Sequence, residues 1–217
     1  MTAGKQRFLI EPDSASAEPI RTLRLAVEAR LGTRKTKGLV ITSPRRRDGR
    51  TTIAANLAVV TSLVQRPVLL IDADMRNPRL HEVFGRPRAP GLIDALRDRI
   101  DPWEVVHSFQ SLGGLHLLTA GTPLAWPGDV AASPAMGELL ERAQEDFQSV
   151  VIDAPAVLAG ADASGLASHP GTDVLLVVNS SGKRRHLIGA LRKLALTEAS
   201  VLGLVLNQEG ALTGELY

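Results

Sequence analysis

Short runs that are apolar at every position alternate along this chain with longer stretches in which apolar residues return every three or four places. The uninterrupted runs are Gly38 to Thr42, Pro67 to Ile71, Leu115 to Leu118, Val150 to Ile152, Val174 to Val178 and Val201 to Leu206. They are rich in β-branched residues, as strands are. Helical patterns occupy about 53 to 64, 92 to 97, 134 to 147 and 184 to 196. A strand with no polar face is covered on both sides, and strands that alternate with helices are joined by crossovers. The pattern therefore predicts an α/β fold of Rossmann-like type: a mainly parallel central sheet with helices on both faces. Ahead of the first strand, apolar residues at 20, 23, 27 and 31 predict another helix, with Ser16 as a cap, Pro19 in its first turn and Gly32 at its end. Glu18, Arg21 and Arg24 lie three apart and share one face of it, which on spacing alone reads as a solvated face.

Composition adds limits. At 217 residues, 44% hydrophobic and 22% charged, the chain has enough apolar material for one sizeable core. No internal repeat or linker divides it. The expected organisation is a flexible lead over 1–15, a single domain over 16–208 and a mobile, Gly-containing tail over 209–217, with the Pro-rich stretches 86–90 and 122–127 as surface loops. No apolar run approaches the ~20 residues that cross a bilayer, and the N-terminus lacks the apolar core of a signal peptide, so the expected location is cytoplasmic, without direct membrane insertion. The absence of cysteine excludes disulfides and thiolate metal sites. Aromatics at 3% argue against a base-stacking surface, and a net charge of +2 does not indicate DNA binding, so no nucleic-acid partner is expected.

The stretch from Gly38 to Asn56, GLVITSPRRRDGRTTIAAN, carries the first chemistry. A strand enters a loop with a glycine, basic residues and hydroxyls, and the loop exits into a helix, which is the layout of a phosphate-binding loop. Against G-x-x-x-x-G-K-[ST], Gly49 matches the second glycine and Thr51 the hydroxyl, but Pro44 stands at the first glycine and Arg50 at the lysine. Two later strands end in acid: Val68 to Ile71 runs into Asp72-Ala73-Asp74-Met75-Arg76, and Val150 to Ile152 into Asp153-Ala154-Pro155. Either strand-end Asp alone could be a helix cap or turn former. Three carboxylates at two strand ends beside such a loop would hold Mg²⁺ and position phosphates, because ligands of open α/β sheets bind beyond the carboxyl ends of the strands.

In this order the loop, the L-L-I-D-A-D-M-R-N-P segment and V-V-I-D-A-P resemble the Walker A, Walker A′ and Walker B motifs of bacterial tyrosine kinases of the capsular-polysaccharide type. These are P-loop NTPases related to the MinD/ParA partition ATPases. The similarity continues through Leu80 to Gly85, Pro90 to Leu92 and Val201 to Asn207, and covers about residues 16 to 208. The resemblance implies an ATP- and Mg²⁺-dependent (auto)kinase for tyrosine, acting in capsular or exopolysaccharide synthesis and export. Asp48, Gly49, Arg50, Thr51 and Thr52 would bind the nucleotide phosphates. Thr51, Asp74 and Asp153 would hold Mg²⁺, Asp72 would accept the proton of the substrate tyrosine, and Arg50, Asp72 and Asp74 would form the catalytic set. Asn207 would line the adenine pocket, or is a turn residue. Glu18-x-x-Arg21-x-x-Arg24 is similar to the motif that packs family subunits into a ring. The implied partners are further copies of the chain and a membrane polysaccharide co-polymerase whose cytoplasmic segment activates the kinase and recruits it to the membrane.

Departures from the family pattern keep two alternatives open. Where the family reads P-G-E-G-K-[ST], this chain has Arg46-Arg47-Asp48-Gly49-Arg50-Thr51. If the position of Arg47 needs φ > 0, its Cβ intrudes; Arg50 keeps the charge of lysine but replaces a compact ammonium by a planar fork. Losing transition-state contacts worth about 2.7–4 kcal/mol would slow transfer about 10²–10³-fold. Binding would suffer less, because arginines at 45, 46, 47 and 50 still attract anions, although such a cluster is also compatible with a solvated patch or an acidic partner. The chain has one tyrosine, Tyr217, as the single phosphoacceptor where family kinases carry a cluster. A ring-forming pseudokinase subunit and a partition-type ATPase are the alternative functions.

Overall fold

A computed structural model describes residues 9–12, 14–34, 36–64 and 67–208. Seven strands form one sheet: β1 (Gly38–Thr42), β2 (Val68–Asp72), β3 (His107–Phe109), β4 (Leu115–Leu118), β5 (Ser149–Asp153), β6 (Thr172–Asn179) and β7 (Val201–Asn207). Their spatial order is β3-β4-β2-β5-β1-β6-β7, and every neighbouring pair is parallel except β3 with β4. The mainly parallel α/β sheet expected from the apolar runs is present, and its register fixes the site: Asp72 pairs with Asp153 across β2 and β5, while Ile41, one residue from the end of β1, pairs with Asp153 from the other side. Three chain segments thus leave the sheet side by side at one edge, about 4.8 Å apart.

The strands are buried on both faces because successive side chains serve opposite layers. Along β2, Leu69 and Ile71 pack with α4 (Leu92–Asp98), α6 (Pro134–Asp146), α7 (Asp162–Ala167) and α8 (Arg184–Ala195). Val68 and Leu70 face the other way, toward α1 (Glu18–Arg34), α2 (Arg50–Ser62) and α3 (Leu80–Phe84). Burial of α2 on nearly every side explains its composition, Ile53-Ala54-Ala55-Asn56-Leu57-Ala58: alanine lets a helix lie close against a sheet. Asn56, buried within it, accepts the backbone N–H of Ile10 at 2.8 Å and so pins the segment ahead of α1.

Several expectations need adjustment. Gly32 does not end α1, which continues to Arg34, because its exposed position asks nothing special of the backbone. Ser16 does not cap it either: residues Ala15–Ala17 form a 3-10 turn that leads into the helix. Helix α2 begins at Arg50, three residues earlier than its apolar pattern, since polar residues of the first turn face a cavity. Strand β3, α3, α5 (Pro127–Ala131) and α7 are too short for periodicity to reveal. The stretch 86–90 is an exposed loop as expected, and 122–127 ends with Pro127 opening α5, where a proline is tolerated. Residues 1–8 and 13 of the expected lead, and the whole expected tail 209–217 with Tyr217, lie outside the described residues.

Candidate active site

The loop between β1 and α2 is held from three sides. From below, Thr42 Oγ1 donates to the carbonyl of Pro155 at 2.6 Å and the N–H of Val157 donates to Ser43 O at 2.8 Å, which ties the loop to the chain leaving β5. From within, Ser43 Oγ donates to Arg45 O and the N–H of Arg45 to Asp48 Oδ2. From β7, Asn207 Nδ2 donates to Asp48 O at 2.9 Å, and Gln208 Nε2 to Arg47 O at 3.4 Å. One N–H of the Asn207 amide therefore props the loop.

Two loop residues take left-handed backbone conformations, Arg47 at φ 69° and Gly49 at φ 97°. At Gly49 a Cβ would lie 2.0 Å from Asn207 Nδ2, so the glycine is required by both conformation and space. At Arg47 the sequence supplies no glycine, and the loop adopts positive φ all the same, with the arginine side chain exposed. The loop then runs directly into α2, whose first turn presents Arg50, Thr51 and Thr52 to a cavity of about 590 Å³. Arg46, Arg47, Arg50 and Arg79 line that cavity, and no acidic residue is among its described lining. Backbone N–H groups at a helix N-terminus together with four guanidinium groups suit a polyphosphate. A second cavity, of about 490 Å³, lies on the other side of the loop, with Arg45, Lys183 and Arg184 around an apolar floor of Val178, Leu187 and Leu206.

Directly beneath Arg50 stand the acids. Asp72 is fully buried, and its Oδ2 accepts the N–H of Leu80 at 2.9 Å and of Arg79 at 3.1 Å, so half of this carboxylate caps α3. Its Oδ1 has no hydrogen-bond partner. Burial, with Asp153 and Asp74 nearby, pushes its carboxyl well above the ordinary carboxylate range against the pull of the two N–H donors. Asp153 is likewise fully buried with both oxygens unpartnered. Burial pushes it up to about 7, although the Arg50 guanidinium and the nearby Thr51 hydroxyl draw it down. Asp74 has a partner on each oxygen: Oδ1 accepts the N–H of Asn77 at 3.0 Å, and Oδ2 accepts Nη2 of Arg50. The Arg50 side chain is 9% exposed, and its Nε lies 3.9 Å from Asp153 Oδ1.

The structure thus brings together Asp48, Gly49, Arg50, Thr51, Thr52, Asp72, Asp74 and Asp153, with Asn207 behind the loop. For Mg²⁺ the fit rests on Asp153, whose two orphaned oxygens lie beside Thr51, while Asp74 already accepts a hydrogen bond from Arg50. Glu18, Arg21 and Arg24 lie apart on α1. Arg21 Nη1 pairs with Glu18 at 3.2 Å, and Arg24 with Glu28 at 2.7 Å. One pair escaped the sequence reading: Asp162, 1% exposed, holds Arg76 Nε at 3.1 Å and so fastens the chain after β2 to α7. Arg76 belongs to a motif, but no local pattern marks Asp162 as its partner.

A mainly parallel sheet whose first strand feeds an arginine-rich loop and helix, with carboxylates at the ends of adjoining strands, gives the protein the fold of the P-loop NTPases. Comparison with known proteins narrows the class. No family model matches the chain. It is 32% identical over 199 residues to the tyrosine-protein kinase YwqD of Bacillus subtilis, covering 92% of this chain and 84% of that protein. It is 33% identical over 196 residues to EpsB of Ralstonia solanacearum, covering 90% of this chain but only 26% of EpsB, so it spans about a quarter of that relative's length. The kinase domain of the Escherichia coli tyrosine kinase ETK matches with a TM-score of 0.84 at 25% identity, covering 95% of this chain and 82% of that one. The chimerical protein CapA2B2 matches with 0.83 at 29% identity, over 92% and 87% of the two chains. The fold is also that of MinD from Pyrococcus horikoshii complexed with Mg-ADP, with a TM-score of 0.64 at 24% identity, over 81% and 71% of the two chains. This chain belongs to the bacterial tyrosine-kinase family. No helix among its described residues is long and apolar enough to cross a membrane.

Proposed function

We propose that the chain binds ATP at the loop of residues 43–52 and acts as a tyrosine kinase subunit of bacterial capsular or exopolysaccharide synthesis and export. The observation that carries this reading is the register of Asp72 with Asp153 at the ends of β2 and β5, beneath the arginine-lined cavity at the start of α2. The γ-phosphoryl would pass to a tyrosine hydroxyl near Asp72, whose unpartnered Oδ1 is the atom left to accept the proton. Thr51, Thr52 and the N–H groups of the first turn would hold the phosphates, and Arg46, Arg47 and Arg79 would balance their charge. Mg²⁺ would be held by Thr51 and Asp153, with Asp74 behind them, and would neutralise phosphate charge. The partner we propose is a membrane polysaccharide co-polymerase with a cytoplasmic activating segment. Glu18, Arg21 and Arg24 would pack copies of the chain into a ring in the cytoplasm, at the inner face of the membrane.

A second reading, a pseudokinase subunit working through assembly, is favoured by one observation: Arg50 is tied to Asp74 where a kinase lysine would serve the phosphates. Intact-mass measurement after incubation with Mg-ATP and the partner's cytoplasmic segment separates the two. A gain of one phosphate that vanishes in Tyr217→Phe supports the kinase; no gain, with ATP binding retained, removes self-phosphorylation. Sedimentation of Arg21→Ala/Arg24→Ala should show a smaller particle, and an unchanged profile would remove the ring.

A further inference from the structure

The assignment of a nucleotide to the 43–52 loop underlies a further inference, which concerns what neutralises the site. Arg50 lies at a boundary. On one side is a cavity edged by Arg46, Arg47 and Arg79 with the hydroxyls of Thr51 and Thr52. On the other are three carboxylates, each no more than 2% exposed. A polyphosphate brought to the cavity would add negative charge beside this acid cluster, and a cation between the two lowers the repulsion. Arg50 already stands there. Its Nη2 donates to Asp74 Oδ2, and its Nε, without a hydrogen-bond partner, lies 3.9 Å from Asp153 Oδ1. With the N–H of Asn77 on the other oxygen, each Asp74 oxygen already accepts one hydrogen bond.

The planar guanidinium explains why this position differs from a lysine. It offers five donors on separate edges, so one edge can hold a carboxylate while another faces the cavity. An ammonium is a compact point charge on a shorter reach and leaves the carboxylate open to a metal. A divalent ion competing for Asp74 here must displace a cation that is covalently attached and held by its own helix, and it would approach that cation's charge closely.

We propose that Arg50 serves as the built-in counter-ion of this site, so that the loop takes up a nucleotide polyphosphate without a divalent metal, and a metal gains Asp74 only after Arg50 has left it. The test is isothermal titration of the full chain with ADP, once in EDTA and once in excess Mg²⁺. For the unaltered protein the two dissociation constants should agree within about threefold, a difference under one kcal/mol. In Arg50→Gln, which removes the charge but keeps a polar side chain, binding in EDTA should be at least about tenfold weaker than in Mg²⁺. Binding of ADP only in Mg²⁺ by the unaltered protein overturns the proposal while leaving the nucleotide site standing, and that comparison needs no variant to fold. Equal behaviour of Arg50→Gln and the unaltered protein overturns it as well. Absence of ADP binding under both conditions overturns it together with the nucleotide reading itself.

Discussion

Replacing Arg47 by glycine should stabilise the protein even though it removes a long side chain. Arg47 sits at φ 69°, where the Cβ of an L-residue crowds its own carbonyl, at a cost of about 1–2 kcal/mol. Its side chain returns little: it is exposed at the rim of the cavity, and among the described residues its guanidinium has no ion pair. Glycine relieves the crowding but gives back about 0.4–1 kcal/mol through the greater freedom of the unfolded chain. The expected net gain is about 1 kcal/mol, which for a chain of this size moves the melting temperature up by about 2 °C. Arg47→Ala is the control, since it removes the side chain but keeps the Cβ, and it should stay within about 0.5 kcal/mol of the parent. Urea denaturation followed by circular dichroism, at matched slopes, measures both. If Arg47→Gly proves no more stable than Arg47→Ala, the loop does not carry the strain assigned to it, and the arginine was never an obstacle to the phosphate-loop conformation.

Two further predictions concern the scaffold of the site. Gly49→Ala should lose ADP binding and at least about 2 kcal/mol of stability, from its φ of 97° and a Cβ 2.0 Å from Asn207 Nδ2; adding Asn207→Ala should return about 1 kcal/mol in a double-mutant cycle, and strict additivity would show that the two do not collide. Asp94 receives the N–H of Gly91 at 2.8 Å, the N–H of Thr122 at 3.0 Å and the Thr122 hydroxyl. Burial pushes its carboxyl up, but these donors and Arg97 outweigh it and hold the group below the ordinary carboxylate range. A depressed folded-state value stabilises the fold above the unfolded value of about 3.9 and is lost as pH falls through the folded one. Asp94→Asn should therefore cost about 2 kcal/mol at neutral pH, with the deficit shrinking below about pH 4; a deficit that stays constant down to pH 3 would contradict this.

How much of the fold could be read from the residues follows from how each element earns its burial. Strands β1, β2, β5 and β6 lie inside the sheet with both faces covered, so each is apolar at almost every position and legible as a run. Strand β3 sits at the edge, three residues long, with His107 and Phe109 only partly covered, and nothing in His-Ser-Phe distinguishes it from a loop. The start of α2 is hidden for the same reason in reverse: Arg50, Thr51 and Thr52 are helical, but their side chains line a cavity, so they break the apolar pattern that marks the rest of the helix. Sequence order also gave no warning of Asp162, which meets Arg76 across 86 positions.

The site was legible in composition and hidden in pairing. Acid at the end of an apolar run is readable, and the parallel register then makes Asp72 and Asp153 neighbours without further instruction. What each oxygen does is decided by the chain around it. Asp72 Oδ2 caps α3, as a lone strand-end aspartate can, while Oδ1 has no hydrogen-bond partner, so the cap and the proposed proton acceptor fall on separate atoms of one residue. Arg50 divides in the same way. As a lysine substitute it looks like a loss to be measured in transfer rate. Placed against Asp74 and Asp153, its planar fork holds a carboxylate, and under the proposal above another edge would serve the phosphates. The question raised by the substitution is therefore one of charge balance: Arg50, the residue that departs from the family pattern, is the cation placed against Asp74 and Asp153.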